Sequence, residues 1–308
     1  MVDLHADTLL DLAAGRRDLA GGGLGHVDLP RLHQGGVTVQ VFAAFVHPRE
    51  ALHGPARLAE LLTAFQAALR RHAPAVAHVR TMADLEAAVG AGRVAAVVSV
   101  ENLGDALAGR EEAVADLVRA GVRMAGLTWN FPNPLADGAL EQRHGGLTAL
   151  GRRVVRRLER EGIVVDVSHL SEAAFWQVLE VTTGPVVASH SNAAAVHPHR
   201  RNLTDAQLRA IAARDGVVGV NFYPPFLGAP TLERVVAHID HMAEVMGVRH
   251  VALGSDFDGI TQVPAGLEEV SRLPNLTRAL VDRGYAGEAV ARILGQNALR
   301  VFRRVWGR

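Results

Sequence analysis

Short apolar runs recur along the chain, separated by longer stretches in which apolar and charged residues alternate with helical spacing. Eight runs stand out: Val2 to Thr8, Val37 to Phe45, Arg93 to Glu101, Arg123 to Trp129, Gly162 to His169, Pro185 to His190, Val217 to Tyr223 and His250 to Asp256. Several are continuously hydrophobic and rich in Val, Ala and Ile, the pattern of strands buried on both faces of a parallel sheet. The segments between them predict helices. Residues 55–71 carry leucines at 58, 61, 62 and 69, and in 149–161 Val154, Val155 and Leu158 make a stripe beside five arginines. Further helices are expected over 171–181, 204–213 and 231–246. Ser171 is placed to cap its helix, and Thr204 with Gln207 three residues on spells a capping box. A closing helix is expected from Ala286 to Trp306, with Val290, Ile293, Leu294, Leu299 and Phe302 on its apolar side.

Eight strand–helix alternations without a Gly/Ser linker predict one α/β domain over residues 1–308, a single (β/α)8 TIM-type barrel with a C-terminal helix. An open doubly wound sheet fits less well, because polar residues gather at the C-terminal ends of nearly all eight runs, where such a barrel builds its active site. Two long connections, 47–54 and 130–146, belong to the same face and are expected to shape a pocket. Gly21-Gly22-Gly23-Leu24-Gly25 follows Arg17 and Asp18 instead of a strand end, so it reads as a loop and not as a dinucleotide fingerprint.

Composition narrows the function. Of 308 residues, 49% are hydrophobic and 21% charged, which is ample for a core and excludes disorder. Thirty-two basic residues balance thirty-two acidic ones, so charge favours neither nucleic acid nor an anionic membrane, and the expected partner is a small molecule. The chain has no cysteine, which leaves His, Asp and Glu as the only candidate ligands for a metal, and there are fifteen histidines. No secretory leader and no apolar run approaching the roughly 20 residues of a membrane span are visible, so a cytoplasmic location is expected.

Candidate chemistry sits at the strand ends. His5 and Asp7 stand two residues apart and share a face of a strand, offering a nitrogen and an oxygen to one point. Glu101 ends the third run; a buried carboxylate there needs a metal, an arginine or a helix N-terminus as partner. The fifth and sixth runs both end in Ser-His, so His169 and His190 converge from adjacent strands. These five residues suffice for two metal ions bridged by Glu101. Zinc suits such nitrogen and oxygen donors, though manganese or cobalt fit them as well. Two such ions hold a hydroxide and polarise a carbonyl for hydrolysis. The eighth run supplies Asp256 as acid/base, with Asp258 assigned to the loop and Asp166 to orienting a ligand.

In this order, H-A-D-T, V-D-V-S-H-L-S, A-S-H-S-N followed by H-R-R-N-L, V-N-F-Y, G-S-D-F-D-G and the terminal G-Q-N-A-L-R-V-F resemble the membrane (renal) dipeptidase family, in a bacterial form. The resemblance implies a binuclear zinc barrel that hydrolyses dipeptides, including those with a C-terminal D-residue, and in which homodimers are common. It implies that His5 and Asp7 hold one zinc and His169 and His190 the other, that Glu101 bridges, and that Asp256 transfers the proton. It also implies that Arg201 binds the substrate carboxylate, with Asn221 and Tyr223 near the substrate. Two departures stand out. Asn102-Leu103 replaces a pair of glycines, and Trp129 stands where eukaryotic relatives have a histidine that contacts substrate. An indole cannot titrate or accept a hydrogen bond, which keeps a related amide, lactam or lactone hydrolase as the alternative, and a non-catalytic metal-binding barrel as a more distant one.

Overall fold

The computed structural model describes residues 1–143 and 145–307; His144, inside the second long loop, and Arg308 lie outside the described residues. The apolar runs form parallel strands: β1 (Val2–Ala6), β2 (Val39–Phe45), β3 (Val76–His78), β4 (Val94–Glu101), β5 (Val122–Gly126), β6 (Val164–Asp166), β7 (Val187–Ala188), β8 (Val217–Val220) and β9 (Val251–Leu253). Their order is β2-β1-β9-β8-β7-β6-β5-β4, and β4 closes the ring by pairing with β2 from Val39↔Ala95 to Phe45↔Glu101. Eight strands therefore make the expected barrel. The ninth, β3, was not expected from the pattern. It pairs only with the lower part of β4, beginning at Val76↔Val94, while β5 takes the upper part, so it stands outside the closed ring.

Side-chain alternation sorts the core into two layers. Val2, Leu4, Val39, Val41, Ala95, Val97, Met124, Val164 and Ala252 fill the barrel, and Ala298, Val301 and Phe302 of the terminal helix pack with them. Phe42, Val98, Val165, Val218 and Leu253 point the other way, into the layer shared with the surrounding helices. Those helices begin where the caps predict. Thr204 Oγ1 accepts from Gln207 N at 3.3 Å while Gln207 Oε1 accepts from Thr204 N at 2.9 Å, and Ser171 Oγ accepts from Ala174 N at 3.2 Å. Each cap stabilises its helix by about 1 kcal/mol.

The tail is not one helix. It divides into Gly287–Ala291, a π turn Arg292–Gln296, and Asn297–Trp306. Gly295 lies in the break, so close to β1 that a Cβ there would be 3.0 Å from Val2 Cγ2. The break lets the last helix leave the barrel wall and join the inner layer. Among the described residues, no helix is long and apolar enough to cross a membrane.

Candidate active site

The first strand carries a bulge between Asp3 and Ala6, where three residues match two of β2. Val2 and Leu4 belong to the inner layer, so strict alternation would send His5 outward. The extra residue resets the phase, and His5 and Asp7 turn into the barrel together. The pair shares a face, as its spacing predicts; the bulge decides which face.

Glu101 ends β4 on the inner face, buried between two imidazoles. Its Oε2 lies 3.1 Å from His5 Nε2 and its Oε1 3.1 Å from His169 Nε2. His169 Nε2 is in turn 2.8 Å from His190 Nε2. The hydrogen bonds on the far sides of these rings fix their protons. His169 Nδ1 donates to Asn130 Oδ1 at 2.9 Å, and Ser189 Oγ, which donates to Asp166 Oδ2, accepts from His190 Nδ1 at 2.7 Å. Both Nε2 atoms therefore carry lone pairs and face each other, an arrangement that calls for a cation.

On the other side, His5 Nε2 lies 3.4 Å from Asp7 Oδ2, but the orientation is wrong for a hydrogen bond to either carboxylate. Both ring nitrogens of His5 and Asp7 Oδ1 are buried without hydrogen-bond partners. Such orphaned atoms are costly unless a ligand takes them up. Donor atoms of Glu101, His169 and His190 fall within 4.8 Å of one another, as do those of His5, Asp7 and Asp256. Nitrogen and oxygen donors in two groups sharing a carboxylate fit two divalent cations of the zinc type. Asp166 also lies near His5 and His190. Its oxygens are already engaged by Ser168 N at 2.9 Å, Ser189 N at 3.0 Å and Ser189 Oγ, so it fixes the segments that carry His169 and His190.

Electrostatics follows the same division. Burial, reinforced by Arg201, pulls His169 down to about 4, and burial together with His5 and His169 pulls His190 well below the usual range. Burial works against charge on His5 too, but Asp7 and Glu101 outweigh it and hold its proton on well above the usual range. Burial would raise Glu101, yet His169 and His5 keep it ionised far below an ordinary carboxylate. Asp256 is pushed up to about 7, by desolvation first and by Asp7 and Glu101 next, against the pull of His5.

The remaining expected residues surround this cluster. A cleft of about 510 Å³ above it is lined by Trp129, Arg201, Tyr223 and Asp256, among others. Asn221 is fully buried: its Nδ2 donates to Asp256 Oδ2 at 2.9 Å, and its Oδ1 accepts from Tyr223 N at 2.6 Å. It holds those two residues in place. The Arg201 guanidinium donates to His190 O at 3.0 Å and Ser191 Oγ at 3.3 Å, leaving Nε without a partner. Asp258 accepts from Thr8 Oγ1 at 2.6 Å and His26 N at 2.6 Å and is paired with Arg17, so it ties the glycine-rich loop to the end of β9.

Backbone strain collects at the same face. Six non-glycine residues have positive φ among the described residues, and Asn102, His169, Asp256 and Asp258 are four of them. Asparagine is among the few side chains that tolerate this region, so Asn102 makes the left-handed turn after Glu101 without a glycine. Gly259 is required for a different reason: a Cβ there would stand 2.2 Å from Asp7 Oδ2.

Asp3, His199 and Phe226 are among the residues that the sequence does not single out. Asp3 accepts from Ser255 N at 2.8 Å, Ser255 Oγ at 2.7 Å and Gln40 Nε2 at 3.0 Å, fastening the end of β9 to β1. A carboxylate inside an apolar run was the available signal. His199 lines both the cleft and an adjoining chamber of about 320 Å³, with its Nδ1 accepting from Arg201 N at 3.1 Å. Phe226 carries the His199 ring at 4.5 Å and the Arg201 guanidinium at 5.4 Å; nothing in its local sequence marks it.

The sequence model of the family described as membrane dipeptidase (peptidase family M19) matches residues 1–306. Dipeptidase aclJ of Aspergillus oryzae is 34% identical over 293 residues, covering 90% of this chain and 69% of that protein. The crystal structure of dipeptidase AC, a metallopeptidase of the same family, superposes with a TM-score of 0.94 at 31% identity, covering 100% of this chain and 98% of the other. A metallopeptidase from Rhodobacter sphaeroides, solved with a phosphinate mimic of the dipeptide L-Ala-D-Ala, gives a TM-score of 0.93 at 30% identity, with 99% of each chain covered.

Proposed function

Because the chain belongs to the membrane dipeptidase family of metallopeptidases, we propose that its cleft cleaves dipeptides, including those with a C-terminal D-residue, using two zinc ions. The observation that carries this reading is the facing pair of Nε2 lone pairs on His169 and His190, joined through Glu101 to the orphaned donors of His5 and Asp7. In this reading His169 and His190 hold one ion, His5 and Asp7 the other, and Glu101 both. When bound, the ions supply a water acidic enough to attack at neutral pH and draw electron density from the scissile carbonyl.

The protein's own groups do the rest. Arg201, buried and cationic, presents its guanidinium to the substrate's terminal carboxylate, a geometry suited to a planar fork. Asp256, raised to about 7, takes a proton from the attacking water and passes it to the departing amine, and near neutral pH both its forms are available. Asn221 keeps its carboxyl turned to the cleft. Trp129 and Tyr223 bound the space in which the substrate lies.

The test is to strip the protein with a chelator, reload it with zinc, and assay L-Ala-D-Ala, L-Ala-L-Ala, a lactam and a lactone. Hydrolysis of the dipeptides with two zinc ions per chain is expected. Turnover of only the lactam or lactone would replace the dipeptide reading with the related hydrolase.

A further inference from the structure

The cleft has two unlike walls. Phe45, at the end of β2, and Trp129, just past β5, stand with ring centres 5.6 Å apart. His47 joins them at 5.4 Å from Trp129, and Phe131 at 5.6 Å. Leu140 lines the same cleft. Arg201 and Tyr223 come from the segments after β7 and β8. In the closed ring β2 and β5 flank β4, and β8 lies four strands from β4 in either direction. The aromatic wall and the Arg201–Tyr223 wall therefore face each other across the barrel mouth, with Glu101 of β4 between them.

The aromatic wall also leaves apolar surface uncovered. Phe131 is 46% exposed and Leu140 36%, although both stand on the 130–146 loop that borders the cleft. Large apolar side chains gathered at the mouth of a site cost solubility and add nothing to the core, and they mark a surface that buries an apolar ligand.

We propose that this wall receives the side chain of the substrate's N-terminal residue and selects dipeptides in which that residue is large and apolar or aromatic. The inference rests on the reading above, in which Arg201 fixes the terminal carboxylate. With that end held on the β7–β8 side and the scissile carbonyl over the cluster, the N-terminal residue extends toward β2 and β5. Its side chain meets Phe45 and Trp129, and the indole offers a broad ring face where a histidine would offer a small polar one.

The experiment uses the zinc-loaded full chain and measures kcat/KM for Gly-D-Ala, L-Ala-D-Ala, L-Leu-D-Ala and L-Phe-D-Ala. The wild type is expected to favour the Leu and Phe substrates over the Gly substrate by about tenfold or more, the discrimination of an apolar pocket. Trp129→Ala is expected to cut that ratio roughly tenfold through KM, and Trp129→Phe to restore most of it. Leu140→Ser, at an exposed loop position that leaves the core untouched, is expected to cut it about threefold. A wild type without preference, or variants that slow all four substrates equally, would overturn the assignment. Failure of the wild type to cleave any of the four would remove the dipeptide reading beneath it and the assignment with it.

Discussion

On the β6–β7 side of the cluster, His169 and His190 are neutral rings, each gripped at Nδ1 and each presenting a bare lone pair. On the β1–β9 side, His5 has no hydrogen bond at either nitrogen, keeps its proton between two carboxylates, and sits near Asp256, raised to about 7. One half is preset as a nitrogen clamp. The other is rich in protons and carboxylates. A site built from a single residue alphabet thus divides its labour by what surrounds each ring: hydrogen-bonded serine and asparagine on one side, carboxylates on the other.

The largest expected effect comes from the residue both halves share. Glu101→Gln should abolish dipeptide turnover and weaken metal binding on both sides, measured by activity and elemental analysis after reloading. Next is Asp256→Asn, expected to lower kcat by roughly 10²–10⁴-fold while the metal content stays at the wild-type value. If the zinc leaves with the activity, Asp256 is a ligand and the division between the halves moves. Asp166→Ala removes the acceptor that orders Ser168 and Ser189 and should weaken metal binding by about 10–100-fold on the β6–β7 side, leaving the β1 side intact.

The smallest effect is a difference in proton release. His5 has a raised pKa and is protonated at pH 7, so a cation binding there must displace about one proton, and affinity on that side should rise with pH until His5 loses its proton unaided. His169, lowered to about 4, and His190, lowered further, are already neutral at pH 7, so affinity on their side should be flat down to about pH 5. Calorimetry in buffers of different ionisation heat reads the proton count directly. Equal release at both sites would show that the two halves do not differ in the way their surroundings imply.

Much of this is legible in the sequence. Apolar runs with polar ends give the barrel and its open face, and residue types able to bind a metal at matching strand ends give the cluster. What sequence periodicity could not give is phase and conformation. The bulge that turns His5 inward leaves no mark in Val2-Asp3-Leu4-His5, and the positive φ of His169 and Asp256 arises only when the ladder ends. The strand ending in His169 was expected from residue 162 yet spans only Val164–Asp166, because the Asp166 carboxylate takes the amides of Ser168 and Ser189. β3 fully buries only Val76 of its three residues, so no continuous apolar run marks it, and the break at Gly295 answers to Val2, far away in sequence. Tertiary partners decide all of these.

The proposed function requires that two half-sites each hold one ion and meet at Glu101. Elemental analysis of zinc-reloaded wild type, His5→Ala and His190→Ala, each checked for folding by its thermal transition, tests it most directly. The expected counts are two ions per chain in the wild type and one in each variant. A wild type that holds one ion, or a single substitution that empties both positions, would contradict it.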